Sequence, residues 1–264
     1  MPELPEVETV VRSIAPLVGR RIVSAEFRCR RVLRGGDPDA MAARIQGRRI
    51  TGVQRYGKFI LVSLRGGGYL VIHLGMTGRL LLGGPEGKHT HAVLTLDRGR
   101  LLYDDSRQFG CIQFSEEFPE RVAKLGPEPL EVPFEDFAAA LQHRKTRIKA
   151  LLLNQGFLRG LGNIYADESL FRAGIHPLAV SSRLRGDRAR RLHEAILAVL
   201  TEAIAAGGSS ISDYVDAQGR KGFFQLSHRV YQRTGEPCVT CATPIRRVLV
   251  AQRSSHFCPQ CQKR

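Results

Sequence analysis

Four cysteines near the C-terminal end carry the spacing of a metal site. Cys238-x2-Cys241 and Cys258-x2-Cys261 are separated by 16 residues, the arrangement in which two tight knuckles close a tetrahedral thiolate shell. Four thiolates leave no open coordination position, so the metal would fold its module rather than act on a substrate. One structural Zn2+ is the expected cofactor, with no organic group. Gly235-Glu-Pro-Cys238 supplies one knuckle, and a hairpin over 245–254 can return the second pair to the same point.

At the opposite end, Pro2 and Glu3 could carry nucleophilic chemistry. Removing Met1 would leave the ring nitrogen of Pro2 as a secondary amine, and Schiff-base formation requires a neutral amine. A terminal amine titrates near 7.7–8 and a lysine near 10.4. At pH 7.5 about a quarter to a third of terminal amines are therefore neutral, against roughly 0.1% of lysines. Glu3 is an adjacent acid/base partner. The same dipeptide also suits a helix N-terminus, and residue type alone leaves both readings open.

A nucleophile at residue 2 needs a rigid mount. Val7, Val10, Val11, Ile14 and Leu17 recur at helical spacing, which predicts an amphipathic helix over 4–18. Pro5 falls in its first turn, and Glu6 and Glu8 complement the positive end of the dipole. From 21 to 115 the pattern becomes short aliphatic and β-branched runs, at 21–29, 49–55, 59–64, 69–74, 92–96 and 100–103. Gly-rich turns part them, Asp97-Arg-Gly99 reading as a hairpin turn. Such a series predicts a sandwich or barrel. Cys29 and Cys111 fall in strand contexts and are expected to be buried fillers. Pro127, Pro129 and Pro133 mark a linker. Helical spacing returns at 134–142, 147–154, 163–173 and 187–206, the last with Leu192, Ile196, Val199 and Leu200 on one face. Gly207-Gly-Ser-Ser210 ends that helix, and 213–224 is expected to be a flexible loop.

The chain of 264 residues is 43% hydrophobic, enough for one large or two medium cores. Lys and Arg outnumber Asp and Glu by 40 to 25, a net charge of +15. A surplus of that size points to a polyanionic partner, because neutralising phosphates releases counterions. From 220 to the end there are nine Lys/Arg against the single acid Glu236, so the cysteine module itself reads as a nucleic-acid contact. No apolar run approaches the roughly 20 residues that span a bilayer, and the acidic opening lacks a signal pattern. A cytoplasmic protein is expected, where cysteines serve as thiols or ligands rather than disulfides.

Several segments then combine into one resemblance. Pro2-Glu-Leu-Pro-Glu-Val-Glu8, His73-Leu-Gly-Met-Thr-Gly-Arg79, Asp105-Ser-Arg-Gln-Phe-Gly110, Gly162-Asn-Ile-Tyr-Ala-Asp-Glu168 and the four cysteines stand in the order of the formamidopyrimidine-DNA glycosylase family, related to endonuclease VIII. Leu4, where endonuclease VIII typically carries glycine, favours the formamidopyrimidine branch. The resemblance implies an α+β fold: an N-terminal helix plus β-sandwich domain, then a helical helix–two-turn–helix domain with a C-terminal zinc finger hairpin. The boundaries it implies are 1–126 for the catalytic domain, 127–133 for the linker, 134–225 for the DNA-binding domain with a lesion-capping loop, and 226–264 for the zinc finger.

The resemblance also implies roles. Pro2 would attack the sugar's anomeric carbon and release an oxidised purine, and β- and δ-elimination would follow, with Glu3 protonating the ring oxygen. Lys58, Asn163 and Arg253 resemble phosphate-gripping residues, with His89, Lys149 and Tyr165 as further DNA contacts. Met76, Arg107 and Phe109 resemble a void-filling triad: apolar wedges replace lost stacking, and Arg107 would read the orphaned cytosine. By residue type alone, Lys58 could be a solvated strand residue, Asn163 an N-cap, and Met76 and Phe109 core. The implied partner is damaged double-stranded DNA, bound by a monomer at the nucleoid with no membrane involved.

Four positions depart from the pattern: Gln108 for a second basic residue, Asn154 for an aspartate before Gln155, Thr77 for a glutamate of some relatives, and Ser212 for a basic residue. They bear on lesion preference and leave the nucleophile and cysteines untouched. An oxidised-pyrimidine glycosylase of endonuclease VIII type is the rival enzyme reading. A non-catalytic zinc-ribbon DNA-binding protein shares the charge and the cysteines but gives no reason for the Pro-Glu terminus.

Overall fold

The computed structural model describes every residue except Gly35, Ser212 and Asp213. It divides the chain into two compact units, one of Met1–Lys124 with Ala206–Gln225, the other of Leu125–Ala205 with Leu226–Arg264. The loop that follows residue 205 thus packs with the first unit, whereas the sequence grouped it with the helical domain. The departure expected at Ser212 lies outside the described residues.

In the first unit, α1 runs Leu4–Ile14 and passes into a 3-10 turn at Ala15–Leu17. The helix stops short of the expected residue 18 because Pro16 has no N–H to donate and restricts Ala15 before it. Its apolar stripe, Val7, Val10, Val11 and Ile14, is buried. The strands are β1 Ile22–Phe27, β2 Ile50–Tyr56, β3 Phe59–Leu64, β4 Tyr69–His73, β5 Gly78–Leu82, β6 Thr90–Leu96, β7 Arg100–Asp105 and β8 Cys111–Ser115. They form two antiparallel sheets, ordered β1-β6-β7-β5 and β2-β3-β4-β8. Alternate residues such as Ile60, Val62, Leu70, Ile72, Leu94 and Leu101 share one core with α1, as the period of two along a strand requires. The opposite face of the second sheet buries Leu61 and Val71 against Val122, from the short helix α3 at Glu120–Ala123.

Among the described residues the sequence reading lacked β5, β8, the helix α2 at Pro38–Ile45 and the single turn of α3. α2 carries a clear start signal, since Asp37 accepts the Asp39 and Ala40 N–H groups at 3.0 and 3.3 Å and Pro38 opens the helix. Cys111 is buried at the start of β8. Cys29 lies beyond the end of β1 and is only half-buried.

The second unit holds α4 Phe134–Gln142, α5 Ile148–Leu153, α6 Asn163–Arg172 and α7 Gly186–Ala205, then a hairpin of β9 Arg246–Val250 and β10 Arg253–Phe257. Leu192, Ile196, Val199 and Leu200 of α7 are buried. The proline-rich stretch at 127–133 is packed, with Glu128 buried and paired to Arg159 at 3.0 Å. Among the described residues no helix is long and apolar enough to cross a membrane.

Candidate functional site

Pro2 and Glu3 are buried at the mouth of α1, while Met1 stays exposed. Glu6 reaches back to accept the Glu3 N–H at 2.7 Å, one half of a capping box. Its other oxygen accepts the Ser209 N–H at 2.7 Å, and the Tyr214 hydroxyl donates to the Glu6 carbonyl at 3.2 Å. Glu6, read from the sequence only as a complement to the helix dipole, therefore fixes the residue after Pro2, and it does so with Ser209 of the run that ends α7 and Tyr214 of the segment expected to be a flexible loop.

α1 is also tied to the turn that carries Lys58. Glu8 accepts from Arg55 at 2.8 Å, and the Arg55 guanidinium donates to the Gly57 carbonyl at 3.4 Å. Burial pushes the Glu8 carboxyl up, but Arg55 and Arg12 overcome that and hold it below the ordinary range. Lys58 itself is buried in the turn between β2 and β3, which excludes the solvated-strand reading. His73, at the end of β4, has its pKa lowered to about 4, first by burial and then by the charges of Lys58, Arg121 and Arg34. It is a neutral imidazole at physiological pH, accepting the Gly75 N–H at its Nδ1.

Met76 and Phe109 are 41% and 55% exposed, so neither is core. Arg107 is exposed as well, with its guanidinium 4.6 Å from the centroid of the Phe109 ring, a spacing at which cation and ring attract. His89 is exposed on the same unit.

In the second unit, the four cysteine sulfurs lie within 4.8 Å of one another, with separations of 3.9, 3.5 and 3.4 Å among them. Zn–S bonds of about 2.3 Å in a tetrahedron set sulfurs near 3.8 Å apart, so the donor set fits a structural Zn2+. The Thr240 and Cys261 N–H groups donate to Cys238 and Cys258 Sγ, both at 3.4 Å, the outer-shell support that thiolate ligands need. Phe171, Val230 and Ile245 pack beneath the cluster.

Arg253 is exposed at the first position of β10. Asn163 is the first residue of α6, and Gly162 occupies the N-cap; the N-cap reading of Asn163 is thereby removed. The Asn163 side-chain oxygen is buried with no hydrogen-bond partner among the described residues.

Lys149 and Tyr165, expected at the DNA surface, are both 0% exposed. Lys149 donates to Asp167 at 2.5 Å and faces the Asn163 and Ser254 carbonyls at 3.5 and 3.4 Å. The second oxygen of Asp167 accepts the His256 N–H at 3.0 Å. A buried charge must be paired, and this one is spent on joining α5, α6 and β10. Glu168 was missed as well. It is buried and accepts three N–H groups, from Arg229, Val230 and Tyr231, at 2.9–3.0 Å. Burial raises its pKa against those donors.

A β-sandwich unit whose first helix buries Pro2 and Glu3 at its mouth, in a chain that also carries a helical unit with a four-thiolate hairpin, has the architecture of a zinc-finger class of DNA glycosylases. Three family models match in order: the formamidopyrimidine-DNA glycosylase N-terminal domain at 1–112, its H2TH domain at 125–215, and the zinc finger found in FPG and IleRS at 235–264. A formamidopyrimidine-DNA glycosylase of Solibacter usitatus is 76% identical over the whole of both chains, and one of Heliobacterium modesticaldum is 48% identical, again over both whole chains. The crystal structure of the Thermus thermophilus MutM (FPG) protein superposes with a TM-score of 0.89 at 43% identity, covering 99% of this chain and 98% of that one. A Lactococcus lactis Fpg complex with DNA containing an abasic site superposes with a TM-score of 0.90 at 35% identity, covering 99% and 100%. The chain belongs to the formamidopyrimidine-DNA glycosylase family, and it is an enzyme of base excision repair.

Proposed function

We propose that the chain removes oxidised purines, 8-oxoguanine opposite cytosine and formamidopyrimidines, from double-stranded DNA and then cleaves the resulting abasic site. The observation that carries this reading is the buried Pro2-Glu3 pair, pinned by Glu6 at the mouth of α1. Once Met1 is removed, the lone pair of the Pro2 nitrogen attacks C1′ of the nucleotide. The C1′–base bond breaks, and its electron pair leaves with the base, which takes up a proton. Glu3 protonates the ring oxygen as the C1′–O4′ bond opens, leaving an iminium. Loss of a C2′ proton expels the 3′ phosphate, a second elimination expels the 5′ phosphate, and water returns Pro2 to the free amine.

Lys58, Asn163 and Arg253 grip phosphates around the lesion, and His89 makes a further DNA contact. Such contacts fix register and stabilise an extruded nucleotide. Met76 and Phe109 fill the vacated stack, and Arg107 donates hydrogen bonds to the orphaned cytosine. When bound, Zn2+ supplies only the fold of the hairpin that presents Arg253. The enzyme works as a monomer in the cytoplasm, at the nucleoid.

Borohydride trapping on duplex DNA carrying 8-oxoguanine opposite cytosine tests the reading. The expected adduct maps to Pro2 of the processed chain, and Pro2→Gly, with its altered terminal amine, is expected to reduce base excision sharply while leaving lesion-DNA binding largely intact. Full turnover by Pro2→Gly overturns the assignment of the nucleophile.

A further inference from the structure

Two connections cross between the sheets of the first unit at the same end. Residues 74–77 lead from β4 to β5, and 106–110 lead from β7 to β8. The first carries Met76 and the second carries Arg107 and Phe109. Exposed apolar side chains gain by folding down onto nearby surface, so something must hold these crossings rigid. Each is bonded to one carboxylate.

Asp105 is buried. Its Oδ1 accepts the Thr77 hydroxyl at 2.5 Å and the Arg107 N–H at 3.3 Å. Its Oδ2 accepts the Gly110 N–H at 2.8 Å and the Tyr103 hydroxyl at 3.2 Å. The Thr77 oxygen in turn faces the Arg107 N–H at 3.2 Å. The Asp105 N–H donates to the His89 carbonyl at 3.0 Å. The crossings also touch directly: a Cβ on Gly75, whose φ is +61°, would collide with the Phe109 carbonyl and the Gly110 nitrogen. Thr77 is the one member of this set that reaches from the Met76 crossing to the carboxylate by a side chain.

We propose that Thr77 and Asp105 are positioning residues that keep Met76 in register with Arg107 and Phe109, and so set the preference for the base opposite the lesion. The inference rests on the wedge reading given under Proposed function. A hydroxyl is the shortest group that can donate to Oδ1 and accept from Arg107 together, so the departure at Thr77 is an alternative way of fixing the wedge rather than a loss.

Thr77→Val keeps the shape and removes the hydroxyl, and Thr77→Ser restores it. The test compares excision of 8-oxoguanine opposite cytosine with excision opposite adenine, and reads fluorescence from a 2-aminopurine beside the lesion as a report of unstacking. Thr77→Val is expected to lower kcat/KM on the cytosine duplex at least tenfold and to bring the cytosine-to-adenine ratio towards one. Cleavage of a preformed abasic site in single-stranded DNA should stay within twofold. Thr77→Ser is expected to recover both the ratio and the fluorescence change. Asp105→Asn should exceed Thr77→Val in effect, and where it fails to fold the threonine pair decides alone. If Arg107→Ala abolishes the ratio while Thr77→Val keeps it at the parent value, the positioning role is overturned and the wedge reading stands. If Arg107→Ala also leaves the ratio intact, the wedge reading fails and this inference falls with it.

Discussion

Glu6 holds Ser209 across 203 residues of chain, its Oε1 accepting the Ser209 N–H at 2.7 Å. The other oxygen of the same carboxylate holds the Glu3 N–H at 2.7 Å. One buried group therefore fixes the residue next to Pro2 and the start of the loop that follows α7. Gly208 makes this approach possible. Its φ is +80°, and a Cβ there would stand 2.8 Å from Glu6 Oε1.

Glu6→Gln keeps the size of the side chain but turns an NH2 towards one of two N–H donors. The lost charge-assisted bond and the unsatisfied donor cost about 1–3 kcal/mol. The expected outcome is a melting temperature several degrees lower and single-turnover excision slowed at least tenfold. Gly208→Ala should show the same pair of losses, because both the backbone conformation and the space are denied. Parent-like melting and parent-like excision in both variants would remove Glu6 from any positioning role.

What local patterns encode was legible before folding. The zinc set follows from two short spacings, and α1 from a stripe of five aliphatic residues. β5 and β8 escaped because they begin within or directly after the motifs that carry Met76 and Phe109, and α2 escaped although Asp37 and Pro38 announce it. The rest is encoded at long range. Nothing around Lys149 in the sequence separates a surface cation from a buried one, because its partner Asp167 stands 18 residues away, and the His256 that completes the set lies 89 beyond Asp167. Glu6 has the same history, since its second donor, Ser209, belongs to a Gly-Ser run that in the sequence marks only the end of a helix.

Acid should weaken the first unit through His73. Its folded pKa is depressed to about 4 from 6.5, so the unfolded chain takes a proton that the folded one refuses. The stability involved is present above pH 6.5 and is lost as the pH falls from 6.5 towards 4, with a slope of up to about 1.4 kcal/mol per pH unit. His228, lowered to about 4 by burial, adds the same dependence in the second unit. Urea unfolding at a series of pH values should steepen over that window. His73→Asn should flatten the steepening at some cost in overall stability, and an unaltered slope in His73→Asn would remove the imidazole as its source.

Metal removal should act on the hairpin. Beneath the four thiols lies a small core of Phe171, Val230 and Ile245, and structural zinc modules of this size are folded by their metal. Chelation, or Cys258→Ser, is expected to release one equivalent of zinc and to weaken binding to abasic-site duplex at least tenfold. Metal-free protein that bound the duplex at full affinity would show that the hairpin is no part of the grip.

The turn that precedes Arg253 is strained. Ala251 and Gln252 both have positive φ, +49° and +59°, and they are the two residues between β9 and β10. A two-residue hairpin turn with both centres left-handed favours Asn-Gly, and an L-residue held there costs about 1–2 kcal/mol. Pairing from Arg246↔Phe257 to Val250↔Arg253 holds the turn in place. Replacing Ala251 by Asn and Gln252 by Gly should relieve the strain without moving Arg253. Slower amide exchange at Val248 and Ser255 is expected, with excision within twofold of the parent. If exchange slows while excision falls tenfold, the strained tip itself is what aims Arg253. If exchange does not slow at all, the two residues are not strained in solution.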